Sequence, residues 1–132
     1  NLGAMVKGIR KGFYVNLAGG KVKKSIMMVQ DIATLVELVK DKGGVYNVCD
    51  DYNPTFGEIS VSIAKQLGKH KPFNMPYWMA WCLAKVGDLM GHKAPFNSYR
   101  LTKMTESLTF SNEKAKRVLG WKPLDVLTNY TL

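Results

Sequence analysis

The stretch Val45-Tyr46-Asn47-Val48-Cys49-Asp50-Asp51-Tyr52-Asn53-Pro54-Thr55-Phe56-Gly57-Glu58-Ile59 holds the clearest change of secondary structure in the chain. Residues 45–49 are rich in β-branched and aromatic side chains and predict a short strand. Residues 50–54 carry the Asp, Asn and Pro of a turn. Thr55 has the side chain of a helix N-cap, and Glu58 three residues later completes a capping box. Phe56, Ile59, Ile63 and Leu67 continue at helical spacing, and Gly68 closes the helix. A strand that turns into a capped helix makes the chain α/β.

Toward the N-terminus, residues 2–11 predict a helix with Leu2, Met5 and Ile9 on one face, ended by Gly12. Residues 13–17 and 25–29 predict two short strands, with Gly19-Gly20 as a hairpin turn between them. Asp31 is placed as the N-cap of a helix whose Ile32, Leu35, Val36 and Val39 form an apolar stripe, stopped by Gly43-Gly44. Toward the C-terminus, residues 72–76 are extended, because each Pro disfavours helix in the residue before it. Pro76 opens a helix over about 77–90 that is apolar nearly all round, through Trp78, Met79, Trp81, Leu83, Val86, Leu89 and Met90. Burial within its own domain is the reading favoured for this helix, with a membrane surface or a partner as the alternative. Further helices are expected over 99–106 and from Ser111 to Leu119, with a strand at 108–110 before the second. A last helix begins near the end of the chain.

The chain has 132 residues, 46% of them hydrophobic and 22% charged, which excludes a disordered polymer. No run of 18 apolar residues exists, which excludes a spanning helix. Cys49 and Cys82 predict reduced, buried thiols in a cytoplasmic protein. The net charge of +9 invites a polyanion, but Lys21 to Lys24, Lys69 to Lys71 and Lys114 to Arg117 are short clusters without interleaved aromatics. No nucleic-acid partner is therefore expected. A basic module binding nucleic acid or a membrane surface stands as the alternative function.

The chain holds no G-x-G-x-x-G and no P-loop, and His70 and His92 are isolated, so no metal site is expected. Tyr99 and Lys103 fit Y-x-x-x-K, one helical turn apart, a spacing at which a Lys can lower a Tyr pKa for acid/base work. Nothing before them supplies a cofactor, and the pair is not taken as catalytic. No catalytic residue is assigned.

Two longer segments complete the pattern. One runs Gly20-Lys21-Val22-Lys23-Lys24-Ser25-Ile26-Met27-Met28-Val29-Gln30-Asp31-Ile32-Ala33. The other runs Phe110-Ser111-Asn112-Glu113-Lys114-Ala115-Lys116-Arg117-Val118-Leu119-Gly120-Trp121-Lys122-Pro123. With Tyr46-Asn47-Val48 and the Thr55 to Ile59 segment between them, the ordered set resembles the C-terminal part of NAD-dependent epimerase/dehydratases, the extended short-chain dehydrogenase family. The resemblance covers nearly the whole chain. It implies a substrate-binding part, residues 1–132, of an enzyme whose Rossmann part precedes it. That fold is a small mixed α/β substrate domain with few short strands and several helices, lacking the Rossmann sheet on which it would normally pack. The parent would use NAD or NADP; no cofactor is expected on this part, because the family's glycine-rich turn and Tyr/Lys pair lie before the matched region. The implied substrate is a nucleotide sugar or a similar small molecule. Lys24 stands where the family places a diphosphate-binding Arg, and Lys gives a point charge in place of a bidentate fork. Its neighbour Lys23 is a second candidate. Arg100 matches a further Arg, and Asn1 an Asn that opens the substrate-domain helix. Self-association through an exposed apolar surface is an open alternative for a part of this kind.

Overall fold

The computed structural model describes residues 2–91, 94 and 96–132. Asn1, one of the expected substrate contacts, and His92 lie outside the described residues. Seven helices and two short strands are present among those described. The helices are α1 (Leu2–Arg10), α2 (Asp31–Val39), α3 (Phe56–Gln66), α4 (Tyr77–Leu89), α5 (Ser98–Thr105), α6 (Glu113–Leu119) and α7 (Val126–Asn129). The strands are β1 (Val15–Asn16) and β2 (Phe73–Asn74). The fold is thus mixed but mostly helical, and the described residues form no Rossmann sheet. The chain folds as two compact units. Unit 1 comprises Asn1–Val22 and Thr55–Ser107; unit 2 comprises Lys23–Pro54 and Leu108–Leu132.

In unit 1 the expected hairpin does not form. β1 pairs in parallel with β2, Val15 opposite Phe73 and Asn16 opposite Asn74. The reason lies in Leu17–Gly20, a 3-10 turn in which Ala18, Gly19 and Gly20 all have positive φ, at 50°, 67° and 72°. This turn carries the chain away from β1 instead of reversing it. The Gly19 N–H donates to the Met75 carbonyl at 2.9 Å, and the Met75 N–H donates to the Asn16 carbonyl at 2.8 Å. Gly20 then backs onto the first turn of α3. A Cβ on Gly20 would lie 3.0 Å from the Gly57 Cα, so two glycines are needed for the approach. The capping box starts α3 as expected: the Glu58 N–H donates to Thr55 Oγ1 at 3.1 Å, and the Thr55 N–H to Glu58 Oε2 at 2.8 Å. Ile59 and Ile63 of α3 are buried, while Phe56 and Leu67 are half-buried. Met5, Gly8 and Ile9 form the buried face of α1.

Unit 2 has no regular sheet among its described residues. Bridge pairing in this region falls at residues 23 and 24, ahead of the expected 25–29. Lys24 bridges Leu108 in parallel, and the Leu108 N–H donates to the Lys23 carbonyl at 3.1 Å. On the other side the Asp50 N–H donates to the Ile26 carbonyl at 2.8 Å, and the Lys24 N–H to the Pro54 carbonyl at 3.4 Å. Residues 45–49 carry strand-like side chains but join no ladder. Polar side chains replace the missing ladders. Ser25 Oγ donates to Asn53 Oδ1 at 2.6 Å and accepts from the Phe110 N–H at 2.8 Å. Asp31 is the first residue of α2, but it does not cap that helix. Its buried carboxylate accepts from the Leu124 N–H at 3.2 Å. The buried Asp50 carboxylate accepts from the Val126 N–H at 2.8 Å. Two buried acids thus fix the C-terminal segment.

The apolar core of unit 2 is Leu35, Ala115, Leu119 and Trp121, with Met27, Leu38, Tyr46 and Val48 against it. Of the expected α2 stripe only Leu35 is buried, and Ile32, Val36 and Val39 are exposed. The stripe is wider than the surface that covers it. Asp51 pairs with Lys116 at 2.8 Å and accepts from Asn112 at the same distance. The Lys116 bond, then the Asn112 bond, hold its carboxyl below the ordinary value of 3.8.

Removing a buried acceptor leaves its donor without a partner. Asp50→Ala should therefore lower the unfolding free energy by about 1–3 kcal/mol, while Asp50→Asn, which keeps an acceptor oxygen, should lose less. Urea unfolding checks this; equal losses for the two variants would contradict it.

Candidate functional site

The site begins with the way α4 packs. Its fully buried residues are all small: Ala80, Ala84 and Gly87. Ala80 and Ala84 form a core cluster with Leu101 of α5, and Leu17, Met75 and Phe96 pack against it. Gly87 allows the closest contact, since a Cβ there would collide with the Phe96 carbonyl oxygen. The large residues of α4 point away from that seam. Trp78 is 67% exposed and Leu89 90%, and Trp81, Leu83, Val86 and Met90 are exposed too. Burial of the whole helix was the expectation, and the structure corrects it: an all-round apolar helix here buries its narrow side. Cys82 is exposed as well, against the expectation of two buried thiols, while Cys49 is buried as expected.

Packing through small residues leaves a space between α4 and the segments around it in unit 1. An open cavity of about 420 Å³ is lined by Leu17, Met75, Leu83, Val86, Met90 and Met104, among other apolar groups. Met104 comes from α5. Asn97 caps that helix by accepting from the Arg100 N–H at 2.9 Å. Asp88 of α4 also holds its start, accepting from the Ser98 N–H at 2.9 Å and from Ser98 Oγ. These Ser98 bonds, assisted by Lys85, keep the Asp88 carboxyl below its ordinary value. Arg100 stands one helical turn before Met104, so the two side chains share one side of α5. Arg100 itself does not line the cavity.

The other candidates fall elsewhere. Lys23 and Lys24 belong to unit 2, and Arg100 to unit 1. Lys24 is half-buried and Lys23 exposed. Successive side chains of an extended segment point to opposite faces, so the two lysines do not converge on one anion. Tyr99 is 70% exposed, and the Lys103 Nζ lies 5.8 Å from the centre of its ring, over the π-face. That is a cation–π contact. The described residues contain no cluster of His, Cys, Asp and Glu that could hold a metal. The one glycine pair between strand-like runs sits in the Leu17–Gly20 turn, where Gly57 fills the space beside Gly20.

Sequence reasoning did not find the cavity or the buried amide beside β1. Asn16 donates through Nδ2 to Ser60 Oγ at 2.8 Å and to Asn74 Oδ1 at 2.9 Å. An Asn in a strand-like run, two residues from the Gly-rich turn, was the available signal for that amide. The cavity had none, because its walls come from four separate segments.

No family model matches the chain. One solved structure, gox2253, is similar to it in fold. The TM-score is 0.65 at 20% sequence identity, over 92% of this chain and 38% of that one. The chain thus spans well under half the length of gox2253. At this identity the likeness shows the fold alone. No helix among the described residues is long and apolar enough to cross a membrane.

The Gly87–Phe96 contact gives a direct check. Gly87→Ala should force α4 off its seam and lower stability by about 1–3 kcal/mol, although alanine favours helix by roughly 1 kcal/mol. A thermal melt at or above that of the unsubstituted chain would contradict the packing described.

Proposed function

We propose that this chain is the substrate-binding portion of an NAD(P)-dependent nucleotide-sugar epimerase/dehydratase, or of a related reductase. The observation that carries the reading is the ordered set of segments from Gly20 to Pro123. In this reading Arg100 offers its guanidinium to the anionic part of a substrate, in the bidentate manner that suits phosphate. Lys24 is a separate candidate, a point charge with a less exacting geometry. The apolar walls of the recess would receive the less polar part of the molecule and exclude water from it.

The cofactor belongs to a Rossmann part that this chain does not supply. NAD or NADP would accept and return a hydride there. The residues present here bind and orient substrate and perform no proton transfer. The chain alone is therefore inactive. A cytoplasmic location belongs to the same proposal.

Calorimetry tests the reading with two titrants. NAD and NADP should give no heat of binding to the chain. A UDP-sugar should bind weakly, and Arg100→Ala should weaken it by about ten-fold, the usual size of a lost bond to a charged group. Binding of NAD, or UDP-sugar binding unchanged in both Arg100→Ala and Lys24→Ala, would overturn it.

A further inference from the structure

The charge of the chain is divided unevenly between its units. Unit 1 holds 11 of the 19 basic residues and 3 of the 10 acidic ones, and unit 2 holds the remaining 8 and 7. The net charge of +9 is therefore almost all carried by unit 1, the unit that contains α4. Trp78, Trp81, Leu83, Val86, Leu89 and Met90 stand exposed on or just past α4. Their apolar surface is on the order of several hundred Å², at the upper end of what soluble monomers leave as one patch.

We infer that unit 1 docks onto an anionic lipid bilayer through the outer face of α4. Three arguments select that occupant. The only acid on α4, Asp88, is engaged by Ser98 at the start of α5 and by Lys85 at 3.7 Å. Lys85 lies over the Trp81 ring at 5.6 Å, so a basic head stands beside an aromatic body, the arrangement that suits a headgroup region. A second copy of the chain fits less well, since two units of the same strong positive charge would face each other. The helix lies in the interface and does not span, because Tyr77–Leu89 is too short to cross.

Co-sedimentation of the full chain with sucrose-loaded vesicles tests this. Vesicles of phosphatidylcholine mixed with phosphatidylglycerol should carry the chain down, and vesicles of phosphatidylcholine alone should carry much less. Added salt should release it. Leu89→Glu replaces a side chain that touches little in the folded chain, so circular dichroism and melting should be unchanged, while vesicle binding should fall by about ten-fold. A second variant, Trp78→Glu, should behave alike. No binding to the mixed vesicles overturns the inference. Binding undiminished in both variants overturns it too, since charge alone would then hold the chain. So does a dimer in sedimentation velocity that Leu89→Glu dissociates, without binding to vesicles.

Discussion

The organisation of unit 1 depends on α4 packing through its small residues. Ala80, Ala84 and Gly87 let the helix backbone come close to α5 and to the loop at Phe96. A close approach at one seam has two consequences. The large side chains on the same helix have no room there and must face outward. The neighbouring segments cannot follow the helix surface everywhere, and an apolar recess remains where they diverge. Well-packed interiors leave few such voids. The exposed face and the recess thus follow from one packing choice.

Unit 2 solves a different problem. Its extended segments are too short to hold together by a ladder, and its apolar core is small. Polar side chains do the joining. Ser25 links residues 53 and 110, and Asp31 and Asp50 hold the backbone at residues 124 and 126. Asn112 adds a bond to the Cys49 carbonyl at 2.9 Å. Buried carboxylates are costly unless their oxygens find donors, and here backbone N–H groups provide them. The same two acids would look like catalytic candidates in a cleft. Their bonds give them a structural task.

What the sequence revealed depended on range. The α3 capping box was readable from Thr55 and Glu58, because its partners are three residues apart. The limits of α1 and α5 were readable for the same reason. β1 lies within the strand expected at 13–17, but its pairing was misread, because its partner at residue 73 lies far along the chain and the glycines at 19 and 20 mimic a hairpin turn. Asp31 was read as a cap from its position, yet its partner is at residue 124. α4 failed in another way. Its composition shows that it is apolar all round, and periodicity then has no power to say which side is buried. Only the close contacts of Gly87 and the two alanines decide that. Arg100 was found by resemblance alone.

The account turns on which side of α4 faces outward. Cys82 lies on the outer side and is exposed, while Cys49 is buried in unit 2 and donates to the Phe110 carbonyl at 3.3 Å. Thiol labelling of the native chain with a maleimide, with each site read by mass spectrometry of the digested protein, tests this directly. The account predicts rapid modification at Cys82 and protection of Cys49 until denaturant is added. Protection of Cys82 to the same degree as Cys49 in the native chain would contradict it.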